Sequence, residues 1–515
     1  LFSLRVDSPK TLIVKLDTSS PNLSFEHVHT SLFQLLQAIP FSLIDVHIDL
    51  KLSANLIWKF RDNFIYQFKS KIIAKLSGGK VSRREILKYI GSAVVGACVG
   101  AGVTYIGKPA EVVEVPVTAP PKKAPEYVKM GIVTFLSGAG ASWFGIEGGR
   151  AAEWCIEKIN REGGIAGAKI KYVVVDEAGG ADANVTTLRR LHEEEKCDVI
   201  IGWISSADAL AVAPVAEELG QLIIIYDAGT NRIFEERRYK YVFRTKSHLA
   251  IDAVGAALAA VKLKPDMKRV GTINQDYAWG RDNAEVFLAA IKKLIPDVEI
   301  VSDYYSKLYE TDYTPFITKL LADKPEFVYS SYWGGDLIAF VKQAAGYGLF
   351  KNTLFAFNCG NNSLQALGRD FPEGILVGHR GPHWIEYLDP KSWPLQKEFV
   401  EGYYAKYGVY PVYPAYHMWQ AVFAYKAAVE KAAALTGEWP DVDDIIRAFE
   451  NLVIQTPNGH LIMREDHNGV EPMLYAFSVH TPKYPFPDMR DPLVFSAELV
   501  NPPVGVPTLE WINSW

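Results

Sequence analysis

The sequence predicts an α/β fold of two doubly wound parallel-sheet lobes, preceded by an apolar signal or anchor helix and a proline-rich linker. Three observations carry that prediction. From residue 127 onward, apolar runs of four to eight residues alternate with amphipathic stretches of helical period, the pattern of parallel strands covered by helices on both faces. The alternation runs through two successive series, which suits two lobes. Upstream, an uncharged run over 89–106 and a proline-dense segment stand apart in composition.

The first series opens with the strand "YVKMGIVTFL" and the glycine-rich loop "SGAGASWFG". A helix over 146–160 follows and is closed by "REGGIAG", where Gly163 and Gly164 suit a C-terminal cap. Then come the strand "KIKYVVVD", a helix near 183–195, the strand "CDVIIGWI", a helix near 207–219 and the strand "QLIIIY". The second series runs through the strand "KRVGTIN", a helix near 280–294, the strand "VEIVSDYY" and a helix near 315–321. It continues with the strand "EFVYSSYW", a helix near 337–347 and the strand "TLFAFN". Two long helical patterns, 393–407 and 415–434, follow "GILVGHR". The tail "GHLIMREDHNGVEPMLYAFSV" reads as strands around an Asn-Gly turn.

Ahead of these lobes the chain divides into three zones. In residues 82–107, Ser82-Arg83-Arg84 and Leu87-Lys88 precede the uncharged run. That order resembles a twin-arginine translocation signal, with the arginines facing the cytoplasm. The run is near the minimum for spanning a bilayer at ~1.5 Å per residue. Within it, Val95-Gly96-Ala97-Cys98 resembles a lipoprotein box, which makes Cys98 a candidate for lipidation. Residues 108–126, "KPAEVVEVPVTAPPKKAPE", form an extended tether. Residues 1–80 carry no motif, and the first methionine of the chain is Met130. A signal belongs at an N-terminus, so 1–80 is expected to be an over-extended start. Val81 then serves as a GUG initiator and Ser77-Gly78-Gly79-Lys80 as a translated ribosome-binding site; the alternative is a genuine N-terminal domain.

Composition bounds the function. The 515 residues are 49% hydrophobic with a net charge of −5, without the basic excess of a nucleic-acid binder. None of the four cysteines forms a C-x-x-C pair, which argues against a zinc ribbon or a thioredoxin-like motif. Cys155 and Cys197 are either a disulfide or two buried thiols, since spacing alone does not decide. The chain lacks G-x-x-x-x-G-K-[ST], G-x-S-x-G and H-E-x-x-H. Trp143 stands where a dinucleotide fingerprint needs its third glycine. His460 and His467, near Glu465 and Asp466, read as a solvated hairpin tip rather than a metal site. No catalytic residue, metal or cofactor is expected, and the chain is not expected to be an enzyme.

The segment "VKMGIVTFLSGAGASWFGIEGGRAAEWCIEKINREGGIAGAKIKYVVVDE" resembles the opening of the branched-chain amino acid and amide-binding proteins. These are leucine-binding-protein-like solute receptors of ABC importers, with the type I periplasmic-binding-protein fold. The likeness continues through "VIIGWISSADALAVAPVAEELGQLIIIYDAGTN", "RVGTINQDYAWGRDNAEVFLAAI" and "TPNGHLIMREDHNG", over about 127–480. It implies two lobes joined by a three-strand hinge, lobe I about 127–245 and 380–450, lobe II about 246–375 and 455–485. It also implies an extracytoplasmic receptor that traps a small amino acid, branched-chain or related, or an amide-like solute by hinge closure and passes it to ABC permease and ATPase subunits. Two other readings are a ligand-sensing regulator of the same fold and an α/β enzyme; the export segment and the missing motifs argue against them.

Ligands of open α/β sheets sit beyond the carboxyl ends of the strands. Ser205 and Ser206 begin a helix there, where hydroxyls and free N–H groups suit an anion or simply cap the helix. In the resembled family this place holds the ligand carboxylate. The resemblance also assigns Ala228 or Gly229, by a backbone carbonyl, and Thr230, by its hydroxyl, to a ligand ammonium. Phe144, Tyr277, Trp279 and Trp333 sit on strand-end loops and suit an apolar or aromatic slot. One departure concerns Asn358, which stands near the place of the family's acidic residue. An amide pairs a cation less strongly than a carboxylate, so either Asp227, Asp276 or Asp336 compensates, or the ligand lacks an ammonium and is an amide, a urea-like compound or a carboxylate.

Overall fold

Parallel strands buried on both faces form the centre of each lobe. The computed structural model describes residues 123–515 and the backbone of three upstream strands. Those three are β1 (Phe2–Ser8), β2 (Thr11–Asp17) and β3 (Asp45–Lys51), with β1 antiparallel to β2 and β2 parallel to β3. The signal-like segment 82–107 with Cys98, the linker as far as residue 122 and the rest of 1–80 lie outside the described residues. No helix among the described residues is long and apolar enough to cross a membrane.

The first sheet contains β4 (Tyr127–Thr134), β5 (Lys169–Asp176), β6 (Val199–Gly202), β7 (Ile223–Ile225) and β8 (Val242–Arg244). All are parallel, in the order β5-β4-β6-β7-β8. Strands β6 and β7 are wholly buried, whereas the edge strand β5 is half exposed. That difference explains why β6 and β7 are apolar runs, whereas β5 carries Lys169, Lys171 and Asp176. Helices Ile146–Arg161, Ala181–Glu193 and Ser206–Leu219 connect β4 to β7.

The second sheet takes β9 (Arg269–Gln275), β10 (Glu299–Ser306), β11 (Phe327–Ser330), β12 (Leu354–Phe357) and β13 (Leu376–Gly378), in the parallel order β10-β9-β11-β12-β13. A hairpin-like sheet of β14 (Val453–Thr456), β15 (Gly459–Met463) and β16 (Gly469–Val470) precedes the final strands. Strands β17 (Met473–Val479) and β18 (Asp488–Phe495) then extend the second sheet antiparallel. Helices Pro394–Tyr407 and Tyr413–Thr436 pack on Ile146–Arg161, with Trp154 edge-on to Phe399 at 5.3 Å. They belong to the first lobe although they follow the second sheet in sequence.

Three connections pass between the lobes: 245–249 after β8, 379–393 after β13, and 464–472 before β17. Arg244, the last residue of β8, forms a parallel bridge with Asn468 in the third of these. Helix Ala250–Leu263 was not expected from periodicity. Ten of its residues are buried, on every side, so its sequence shows no polar stripe. His467 departs from the expected solvated hairpin tip: it is buried and stacked on Phe243 at 3.8 Å. Cys155, Cys197 and Cys359 are free and buried, the thiol reading of the first two.

Candidate functional site

The carboxyl ends of the strands of both sheets face a single cavity. Residues just beyond β6 and β7 supply Ile204, Asp227 and Gly229; those beyond β9, β11 and β12 supply Tyr277, Trp279, Trp333 and Cys359. Phe144 reaches it from the glycine-rich loop, and Arg380 from the connection after β13. The loop bends sharply there, with Trp143 at φ 58°. Gly145 lies so close to β4 that a Cβ would stand 2.2 Å from the Phe135 carbonyl oxygen. The lining side chains nearly fill the cavity, leaving a space of only about 10 Å³.

The lobes are shut over this space. Phe144 meets Trp333 with ring centroids 5.0 Å apart. The Gly335 N–H donates to the Ala139 carbonyl at 2.9 Å, and the Thr230 hydroxyl to Asp282 at 2.6 Å. The aromatic walls are anchored by polar edges: Trp333 Nε1 donates to the Tyr277 hydroxyl at 2.7 Å, and Trp279 Nε1 to the Ser331 carbonyl at 2.9 Å. Phe144, Trp279 and Trp333 are each no more than 3% exposed.

Charge enters through Arg380. Its backbone is left-handed, φ 49°, a conformation that costs a non-glycine residue ~1–3 kcal/mol and concentrates at functional sites. The guanidinium lies over the Trp279 ring at 4.4 Å and over Tyr413 at 5.4 Å. Nη1 donates to Asp227 at 3.0 Å, and Nε stands 3.6 Å from Asp252. Nε and Nη2 make no hydrogen bond. Burial pushes the Asp227 carboxyl up, but Arg380 and His417 more than reverse this and hold it below the usual range. Burial pulls the neighbouring Lys246 down to about 7, with Arg380 reinforcing it; its Nζ lacks a hydrogen-bond partner.

Among the expected site residues, Phe144, Gly229, Tyr277, Trp279 and Trp333 line the cavity. Ser205, Ser206, Ala228, Thr230 and Asn358 do not. Ser205 caps the helix Ser206–Leu219, accepting from the Asp208 N–H at 3.4 Å. The Glu177 carboxylate accepts the N–H of Ile204 at 2.9 Å and that of Ser205 at 2.7 Å. The chain's own side chain thus occupies N–H groups leading into a helix where a ligand anion was expected. Ser206 Oγ accepts from the Thr230 N–H at 3.3 Å, and the Ala228 carbonyl from Arg244 at 3.2 Å. The Asn358 amide donates to the Tyr329 hydroxyl at 3.0 Å, inside the second lobe. Arg380 and Cys359 are not among the expected ligand contacts, yet each lies just beyond a strand end, where the strand-end rule points; Asp227, one of the acids weighed as compensating for Asn358, also lines the cavity.

Residues 127–480 match the family model described as periplasmic binding protein. The chain is 25% identical over 59% of its length to 78% of the leucine-, isoleucine-, valine-, threonine- and alanine-binding protein of Pseudomonas aeruginosa. The solute-binding protein of an ABC transporter from R. palustris, solved with benzoate, superposes with TM-score 0.64 at 21% identity, over 74% of this chain and 99% of that one. A solute-binding protein from Rhodopseudomonas palustris BisB5, solved with 3,4-dihydroxybenzoic acid, gives TM-score 0.65 at 24% identity and the same coverage.

Proposed function

The chain belongs to the periplasmic binding protein family, and from that premise we propose that it captures a small carboxylate with a planar apolar body and delivers it to an ABC permease. Membership makes it a binding protein rather than an enzyme, with an extracytoplasmic location. The observation that carries the ligand class is Arg380: a buried guanidinium with two nitrogens, Nε and Nη2, free of hydrogen bonds, standing among Phe144, Trp279 and Trp333. An arginine fork suits a carboxylate, and the aromatic walls suit a flat ring. Relatives of the same fold were solved with benzoate and 3,4-dihydroxybenzoic acid. An amino acid is the second reading, favoured by Asp227 in the cavity wall. Both Asp227 oxygens are engaged, one by Arg380 and the other by His417, which leaves little for an ammonium.

Calorimetry of the full chain against benzoate, 4-hydroxybenzoate, benzamide and leucine tests this. A benzoate should bind one to one, and benzamide, lacking the charge, at least about tenfold more weakly, a loss of ~1.4 kcal/mol. Leucine binding with silence from the benzoates would transfer the site to amino acids. We read residues 82–107 as an export signal or membrane tether from their sequence alone. Peptides from residues 1–75 in the native protein would refute the over-extended start.

A further inference from the structure

Behind the cavity, three buried side chains from different parts of the chain point at one another. They are His383 in the connection after β13, His417 in the helix Tyr413–Thr436, and Glu471 just before β17; none is more than 2% exposed. One ligand atom from each lies within 4.8 Å of the others. His383 Nε2 is 3.3 Å from Glu471 Oε2, and His417 Nε2 is 3.9 Å from Glu471 Oε1.

The outer nitrogens of both rings are already engaged. His417 Nδ1 meets the Asp227 carboxylate, and His383 Nδ1 meets the side-chain amide of Asn458. A carboxylate partner requires the proton on His417 Nδ1, so the neutral ring turns the lone pair of Nε2 inward. That lone pair faces the Arg380 carbonyl oxygen at 3.0 Å and the Glu471 carboxylate. His383 Nε2 and Glu471 Oε1 have no hydrogen-bond partner at all. The Asn458 amide N–H at Nδ1 puts the proton of a neutral His383 on Nε2, facing Glu471; the Glu471 carboxylate and the His417 lone pair are the acceptors that a cation replacing that proton would satisfy. Gly381, at φ 127°, brings the connecting backbone against the cluster; a Cβ there would lie 2.4 Å from His383 Nε2.

We propose that His383, His417 and Glu471 form a buried site for a zinc-class divalent cation where the connections between the lobes cross. Two imidazole nitrogens and a carboxylate oxygen are the donors that borderline-soft metals prefer. Asp227 on the far side of His417 is the carboxylate that commonly orients a metal-bound histidine. Glu471 is itself steadied by Gln420 Nε2 at 3.1 Å. The added charge stands with Arg380 and Lys246 and is opposed by Asp227, Asp252 and Glu471. Because Asp227 also holds Arg380, the metal is joined to the cavity through His417 and Asp227.

The full chain, purified without chelator, is analysed by elemental mass spectrometry as isolated and after incubation with Zn²⁺ followed by exhaustive dialysis. Retention of about one zinc per chain is expected, with Co²⁺ giving the visible absorption of a low-symmetry nitrogen and oxygen site. His383→Gln and Glu471→Gln should each weaken Zn²⁺ retention at least about tenfold, while His460→Gln, elsewhere on the chain, retains it. Less than about a tenth of an equivalent in the wild-type chain under both conditions overturns the site, as does equal retention by both variants. Where a variant fails to fold, the wild-type measurement decides.

Discussion

Gly229 sets the room available to the ligand. A Cβ at this position would stand 2.1 Å from Trp279 Cζ3 and 2.5 Å from Arg380 Nη2. Gly229 follows β7 and Trp279 follows β9, so the clash with Trp279 lies across the cleft between the lobes. Gly229→Ala should therefore weaken ligand binding at least about tenfold, ~1.4 kcal/mol, while leaving the ligand-free Tm within a few degrees; calorimetry and thermal melts separate the two. Lys246 has a different signature. Its folded pKa of about 7 lies below the ordinary 10.5, so the unfolded chain holds the extra proton between those values. Its contribution to stability rises with pH across about 7 to 10.5 and is least favourable below about 7. Denaturant unfolding at several pH values should show that slope, and Lys246→Met should flatten it.

At the scale of elements, the helix Ser206–Leu219 shows why a strand-end helix is not always a ligand site. The Glu177 carboxyl accepts two N–H groups leading into it. Burial raises its pKa well above the usual range, with Asp208 adding repulsion. Glu177→Ala leaves those N–H groups without their partner and should cost ~1–3 kcal/mol, measured by chemical denaturation. The lobe-to-lobe latch is the Thr230 hydroxyl on Asp282. Thr230→Val removes it and should weaken ligand affinity by about 2- to 10-fold, ~0.5–1.5 kcal/mol, with the ligand-free fold retained. Most strands and helices were legible because burial on both faces writes an apolar run and burial on one face writes a stripe. Helix Ala250–Leu263 escaped because it is buried all round. Strands β17 and β18 join a sheet whose other strands lie far back in the chain, so their partners leave no local trace.

For the whole molecule, the proposed function rests on closure of the two lobes over the ligand. The lobes meet through Phe144 and Trp333, Ala139 and Gly335, and Thr230 and Asp282, and the cavity wall is drawn from both. Addition of the bound benzoate to the full chain should reduce its radius of gyration in small-angle scattering, and Gly229→Ala should blunt that change.

The sequence by itself determined the two α/β lobes, their order, the aromatic character of the strand-end loops and the absence of the familiar enzyme motifs. Each is a matter of residue type, short-range spacing or repeated pattern. Tertiary structure decided the charges. Arg380 meets Asp227 across 153 residues, and His417 meets the same carboxylate across 190. Asn358, near the expected acidic position, turns to Tyr329 instead. Such pairings depend on how the connections between the lobes bring distant strand ends together, and no periodicity along the chain records that convergence.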